Sequence, residues 1–175
     1  MILPLIYYGN NLLRTRSGKV KQIDPEIKQL CFDMIETMDA NNGVGLAAIQ
    51  VGKPFRIIVI RPVLETENGE SYLGDAEIYI NPVLSNPSEN TEILSEGCLS
   101  IPKLHFDVER PVSIHIEALD INGDKISKEI IGFKAREIMH ENDHLNGVLF
   151  IDRLSAKKRK EIEPALKEIK EKFNN

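Results

Sequence analysis

Tryptophan is absent from the 175 residues, and aromatic side chains make up only 6% of them. So sparse a supply gives a poor base-stacking platform for single-stranded nucleic acid. Positive charge is short as well. The 22 Lys and Arg are outnumbered by 27 Asp and Glu, and a formal net charge of −5 has the wrong sign for neutralising a phosphate backbone. No apolar run approaches the roughly 20 residues of a membrane-spanning helix. The opening Met1-Ile2-Leu3-Pro4-Leu5-Ile6-Tyr7-Tyr8 has no basic segment of the kind that begins a secretory leader. With two cysteines and no such leader, the expected setting is a reducing cytoplasm, with no membrane partner.

The remaining composition, 42% hydrophobic and 28% charged, is that of an ordinary folded protein. Its length suits one domain spanning 1–175, with a basic C-terminal helix over 155–175. Asp24-Pro25-Glu26 starts a helix, Ile27, Leu30, Cys31, Met34, Ile35 and Met38 recur at helical spacing, and Asn41-Asn42-Gly43 ends it. Cys31 lies on that apolar face as a packed thiol. Phe55 to Ile60 reads as a buried strand and Glu77 to Asn81 as another. Ser113 to Asp120 and Lys125 to Ile131 form a hairpin through a two-residue Asn122-Gly123 turn. His115 alternates with Ile114 and Ile116 and faces away from them. A helix runs from Phe133 to Leu145, and another begins at Ser155, with a kink at Pro164. Clustered strands and hairpins with separate helices predict an α+β fold, its small sheets packed around a central metal-binding helix.

His140-Glu141-Asn142-Asp143-His144 carries the chemistry. An i, i+4 pair shares one helix face about a turn apart, so both imidazoles reach a single cation. Glu141 projects beside them as a candidate acid/base. A hydrolytic cation usually has three protein ligands, so one is missing. Two sources are open: Cys98, in the polar turn Ser95-Glu96-Gly97-Cys98-Leu99-Ser100-Ile101-Pro102, or Glu161 or Glu163 downstream. A third stretch, Gly43-Val44-Gly45-Leu46-Ala47-Ala48-Ile49-Gln50, has the paired small residues that let a backbone approach a ligand. It lacks the Lys-Ser/Thr ending of a phosphate cradle.

In their order and spacing these three segments resemble peptide deformylase: Gly43 to Gln50, then Glu96-Gly97-Cys98-Leu99-Ser100, then His140 to His144. The likeness extends through Gly147 and Leu149-Phe150-Ile151-Asp152. It implies hydrolysis of the N-formyl group from the first methionine of new polypeptides, with release of formate. It also implies Cys98, His140 and His144 as metal ligands and Glu141 as general base and then acid. Gln50 and the Leu99 N–H would stabilise the oxyanion, Gly45 would lie along the bound peptide, and Glu96 would pair with Arg110. Val44 and Leu94 are the candidates for the methionine pocket. The implied cation is ferrous iron, with zinc, nickel or cobalt as substitutes. The implied partners are N-formyl-methionyl nascent peptides and, through the C-terminal helix, the ribosome.

The sequence departs from the family's habit at Ile49, Met139 and Lys103, where proline, glutamine and glycine are usual. Arg136 and Glu137 alter the polarity expected at the pocket rim. Two rival readings use the same helix: a metallopeptidase with its third ligand downstream, and a non-catalytic binding module stabilised by a closed metal site.

Overall fold

The helix expected after Asp24 runs Pro25–Ala40 (α1) in the computed structural model, which describes residues 1–174. Asp24 caps it by accepting from the Ile27 N–H at 2.9 Å. The chain leaves the helix through Asn42, at φ +54°, a left-handed conformation that asparagine tolerates. Strands β1 (Gly45–Ala47), β2 (Ile57–Ile60), β3 (Val63–Glu65), β4 (Ser71–Leu73) and β5 (Glu77–Ser85) follow. Next come β6 (Thr91–Cys98), β7 (Ile101–Pro111), β8 (Ser113–Leu119) and β9 (Lys125–Ile131), then helices α2 (Gly132–Leu145), α3 (Ala156–Glu161) and α4 (Glu163–Phe173).

Five strands make one antiparallel sheet of order β1-β2-β5-β8-β9, while β3-β4 and β6-β7 are separate hairpins. All four side chains of β2 are buried. Alternation sends Ile58 and Ile60 towards Ala135, Ile138 and Leu145 of α2, and Ile57 and Val59 towards Cys31, Met34 and Met38 of α1. A strand covered on both faces must be apolar at every position, which is why Ile57–Ile60 reads as an unbroken run. Each such side chain contributes about 1.5–3 kcal/mol on burial. This sheet holds α2 in the middle of the molecule. The result is the expected α+β arrangement, small sheets around one central helix.

The β8-β9 turn differs in detail from its expected two-residue form. Asp120 N–H reaches Asp124 O at 2.9 Å, so Ile121, Asn122 and Gly123 form a three-residue loop. The Asp120 carboxylate accepts from the Asn122 and Asp124 N–H groups, and Gly123 takes φ +86°. The Asp120 side chain completes a turn that Asn-Gly alone would have closed one residue tighter.

Ser155 caps α3 as expected, accepting from the Lys158 N–H. The helix breaks at Ile162 because Pro164 has no N–H for the Lys160 carbonyl. Beyond the break, Leu166 and Ile169 join Ile162 against Leu13, Ile101 and Phe150. The C-terminal helix is therefore part of the core on one side and exposes Lys157, Lys160, Lys167 and Lys170 on the other. Asn175, the last residue of the expected 155–175 segment, lies outside the described residues.

Candidate active site

The β6-β7 hairpin turns at Leu99-Ser100 and so presents Cys98 at its tip, while α2 presents His140 and His144 one turn apart. The donor atoms of these three residues lie within 4.8 Å of one another. Cys98 Sγ is 3.3 Å from His144 Nε2. His140 turns Nδ1 to Glu96 Oε1 at 2.9 Å, which leaves its Nε2 for the cluster. Burial holds the His144 pKa well below that of an ordinary imidazole, so the ring is neutral and keeps the lone pair a ligand needs. One thiol sulfur and two imidazole nitrogens suit a borderline divalent cation. Three protein donors are also the number that leaves a position for reactants. The residues fit a catalytic metal. Glu161 and Glu163 are exposed and lie in ion pairs with Lys158 and Arg159, outside the cluster.

Behind the cluster lies a buried ionic network, only part of which the sequence announced. Arg110 grips Glu96 with Nε to Oε2 at 2.6 Å and Nη2 to Oε1 at 2.8 Å, the expected pair. Arg136 adds Nη1 to Glu96 Oε2 at 2.6 Å and also donates to the Val108 and Glu92 carbonyls. Asp143 accepts from Arg110 and from Arg153. Arg136 borders the pocket as expected, but it is buried and tied into this network; its position four residues before His140, on the same helix face, is the signal for that second role. Burial opposes ionisation of Glu96, yet the hydrogen bonds from Arg110 and His140 pull its pKa down to about 2.

Glu96→Gln removes the carboxylate that two buried guanidinium groups share, leaving Arg110 only Asp143 and Arg136 only carbonyl acceptors. An expected loss of about 3–5 kcal/mol in urea unfolding follows, together with metal binding weaker by about 10–100-fold through the freed His140 ring. Unchanged stability and unchanged metal affinity would show the network to be incidental.

Glu141 lies beside the cluster, buried, and its Oε2 meets no hydrogen-bonding group of the described residues. Burial pushes its pKa up to about 7, close to where a proton shuttle works best near neutral pH. Room for it comes from Gly45, since a Cβ there would stand 2.6 Å from Glu141 Oε1 and 3.0 Å from Cγ. Gln50 is held at both ends. Its Oε1 accepts from the Ala47 N–H at 2.8 Å, and its Nε2 donates to Ser100 Oγ at 3.1 Å with Cys98 Sγ 3.5 Å away. The Leu99 N–H donates to no protein acceptor among the described residues. The structure thus brings Gln50, Leu99 and Glu141 around the three donors.

A pocket of about 500 Å³ opens beside the cluster, with Val44, Gly45, Gly97, Leu99, Phe133 and Glu137 among the residues of its wall. That volume suits a ligand the size of a short peptide. Val44 lines it as expected. Leu94 does not: it shares a face of β6 with Glu96 and Cys98, but sits one step farther from the tip and outside the wall. Phe133, in the first turn of α2, contributes an apolar side chain that the sequence reading had not singled out.

The sequence matches the polypeptide deformylase family over residues 2–160. A peptide deformylase of Rhizorhabdus wittichii is 46% identical over 148 residues, covering 84% of this chain and 83% of that protein. Another, from Rhizobium meliloti, is 43% identical over 158 residues, covering 90% and 88%. The crystal structure of peptide deformylase from Ehrlichia chaffeensis superposes with a TM-score of 0.89 at 36% identity, covering 99% of this chain and 98% of that one. A class I type b peptide deformylase from Acinetobacter baumannii, solved with Met-Ala-Ser bound, gives 0.81 at 31% identity, covering 88% of this chain and 99% of that one. Sequence, fold and the grouping of thiol, imidazoles and carboxylate agree, and the chain belongs to the polypeptide deformylase family.

Proposed function

We propose that Cys98, His140 and His144 hold one divalent cation and that Glu141 moves the proton as water cleaves an N-formyl-methionyl peptide. The products are formate and a peptide with a free amino terminus. The observation that carries this assignment is the convergence of three metal-type donors beside a buried carboxyl that has a free oxygen. The cation supplies Lewis acidity at the reacting carbonyl and lowers the pKa of water.

The chain's own groups do the rest. Glu141 accepts a proton from the attacking water and returns it to the nitrogen as the C–N bond breaks. Gln50 Nε2 and the Leu99 N–H donate to the oxygen on which negative charge develops. Gly45 keeps β1 close to the reacting group, and Val44 and Phe133 give the methionine side chain an apolar wall. Met-Ala-Ser, bound to the Acinetobacter baumannii relative, has the chemistry of such a product, and an extended peptide of this kind suits the strand edges on either side of the pocket.

The test is formate release from formyl-Met-Ala by protein purified without oxygen and supplied with ferrous iron. Rapid release that requires the formyl group supports the assignment; none from folded, metal-loaded protein removes it. Gln50→Leu is expected to raise the barrier by about 3 kcal/mol, a loss of turnover of the order of a hundredfold, with metal content unchanged. A near-normal rate takes away its role.

Ferrous iron is the cation this reading favours, although the same three donors accept zinc, nickel and cobalt. Iron beside a thiolate makes activity sensitive to oxygen and peroxide, so elemental analysis after anaerobic purification and inactivation in air test it together. A cytoplasmic enzyme acting on nascent chains meets them at the ribosome, and the exposed lysines of α3 and α4 are the surface proposed to dock there. Because the opposite side of these helices is core, the informative change is Lys157→Glu, Lys160→Glu and Lys167→Glu together. Reduced ribosome co-sedimentation is expected, and unchanged co-sedimentation rejects the docking surface.

A further inference from the structure

Lys103 stands in the left-handed region at φ +66°, a backbone conformation that glycine adopts freely and lysine rarely. The β6-β7 register shows where this turn comes from. Cys98 pairs with Ile101 and Gly97 with His105, so Pro102, Lys103 and Leu104 have no partners on β6 and bulge from the hairpin. Leu104 packs back against the core that α4 covers, and all three residues border the pocket beside the metal-type donors. The other acidic and basic residues of that wall, Glu96, Arg136, Glu137 and Glu141, are buried. Lys103 is exposed. Unlike Lys134 and Lys158, which pair with Glu77 and Glu161, it makes no ion pair among the described residues. It is therefore a cation on a flexible stem, free to swing across the pocket mouth. His105, two residues on, spreads its ring over Gly97, where a Cβ would stand 2.6 Å from Cδ2 and Nε2. The first acid along the strand, Asp107, lies outside the wall. In a chain of net charge −5, a mouth whose exposed charge is positive is a local exception. Backbone strain of this kind gathers at ligand sites.

We propose that Lys103 binds a carboxylate of the peptide beyond its methionine, so that the enzyme favours formyl peptides with an acidic side chain at the second or third residue. A peptide whose formyl group reaches the cluster leaves the pocket past this rim. An extended chain advances about 3.3 Å per residue, so those two residues are the ones a rim side chain meets. An ion pair formed in solvent there is weak and screened by salt, and it discriminates between peptides without anchoring them. The proposal rests on the deformylase reading above.

The experiment compares kcat/KM for formyl-Met-Ala-Glu, formyl-Met-Ala-Gln and formyl-Met-Ala-Lys, all as C-terminal amides, and for the corresponding peptides with the varied residue second. Metal-loaded enzyme and its Lys103→Gly and Lys103→Glu variants are used. Glycine suits the left-handed backbone, so Lys103→Gly removes the cation without a cost in folding. The unaltered enzyme is expected to favour glutamate over glutamine by about fivefold at low ionic strength in at least one of the two positions. That preference should shrink in about 1 M salt, fall near one in Lys103→Gly, and give way to a preference for lysine in Lys103→Glu. Equal rates for the glutamate and glutamine peptides, a preference unmoved by salt, or one that survives Lys103→Gly would each overturn the proposal. Formyl-Met-Ala and its amide separate the chain end from a side chain: a preference confined to the free C-terminal carboxylate also overturns it.

Failure to cleave any formyl peptide is a different result and counts against the deformylase reading. Lys103 is then judged by calorimetry of Met-Ala-Glu-amide against Met-Ala-Gln-amide, and of the pair with the varied residue second, on the metal-loaded protein. Tighter binding of a glutamate peptide that is lost in Lys103→Gly supports its role, and equal affinities in both pairs reject it.

Discussion

Cys98→Ala is expected to give a folded protein that no longer retains a stoichiometric metal ion. The two histidines left on α2 can still chelate, but the site loses its thiolate, the one soft donor that draws a borderline cation. Removing a group that merely orients a ligand weakens metal binding by about 10–100-fold, and removing a ligand itself must exceed that. Turnover should fall at least about a thousandfold, because the Lewis-acid contribution is worth several kcal/mol. Cys98 is half-buried at a hairpin tip, so the variant should keep the secondary structure and the melting temperature of the metal-free protein. The metal should also stop raising that temperature, since a ligand stabilises only a protein that binds it. Elemental analysis and thermal melts with and without metal read both effects. Glu161→Ala and Glu163→Ala are the controls, and both should keep the ion. Full metal occupancy in Cys98→Ala would return the third ligand to one of those glutamates.

How much of this was legible in the sequence depended on whether the signal was local. α1 could be read end to end because its cap, its proline and its apolar stripe lie within 17 residues of chain. The histidine pair was equally plain, as four residues set its geometry. The hairpin that carries Cys98 was not: Thr91–Cys98 is polar along most of its length, and its pairing with Ile101–Pro111 shows only in the completed fold. The partners of the charged residues on α2 were hidden for the same reason. Its charged residues look like a solvated face, but Asp143, Arg136 and His140 find partners 33, 40 and 44 positions away in sequence. Such long-range pairing converts apparent surface charge into a buried scaffold for the ligands. Leu94 lies a single strand step beyond the residues lining the pocket, a distance that alternation alone cannot resolve.

Glu141→Gln is the second large effect, and it should separate from the first in a diagnostic way. The amide has the shape of the carboxyl and fits the room that Gly45 leaves, so folding and metal content should match the unaltered enzyme. What the amide lacks is an oxygen able to take a proton and give it back. General acid–base transfer contributes about 10²–10⁴-fold, and kcat is expected to fall by that amount with little change in KM. The enclosed Oε2 would otherwise be an expensive feature to keep: burial pushes Glu141 towards its neutral form, and a divalent cation beside it pulls the other way. Those opposed effects hold it near the balance a proton shuttle requires. Metal-loaded Glu141→Gln working within tenfold of the normal rate would mean that the proton leaves by another group, and Glu141 would then be a space-filling neighbour of the ligands. Loss of the metal in this variant would instead make Glu141 a fourth ligand of a closed site, as the non-catalytic binding module requires. Activity lost with the ion still in place leaves only the proton shuttle.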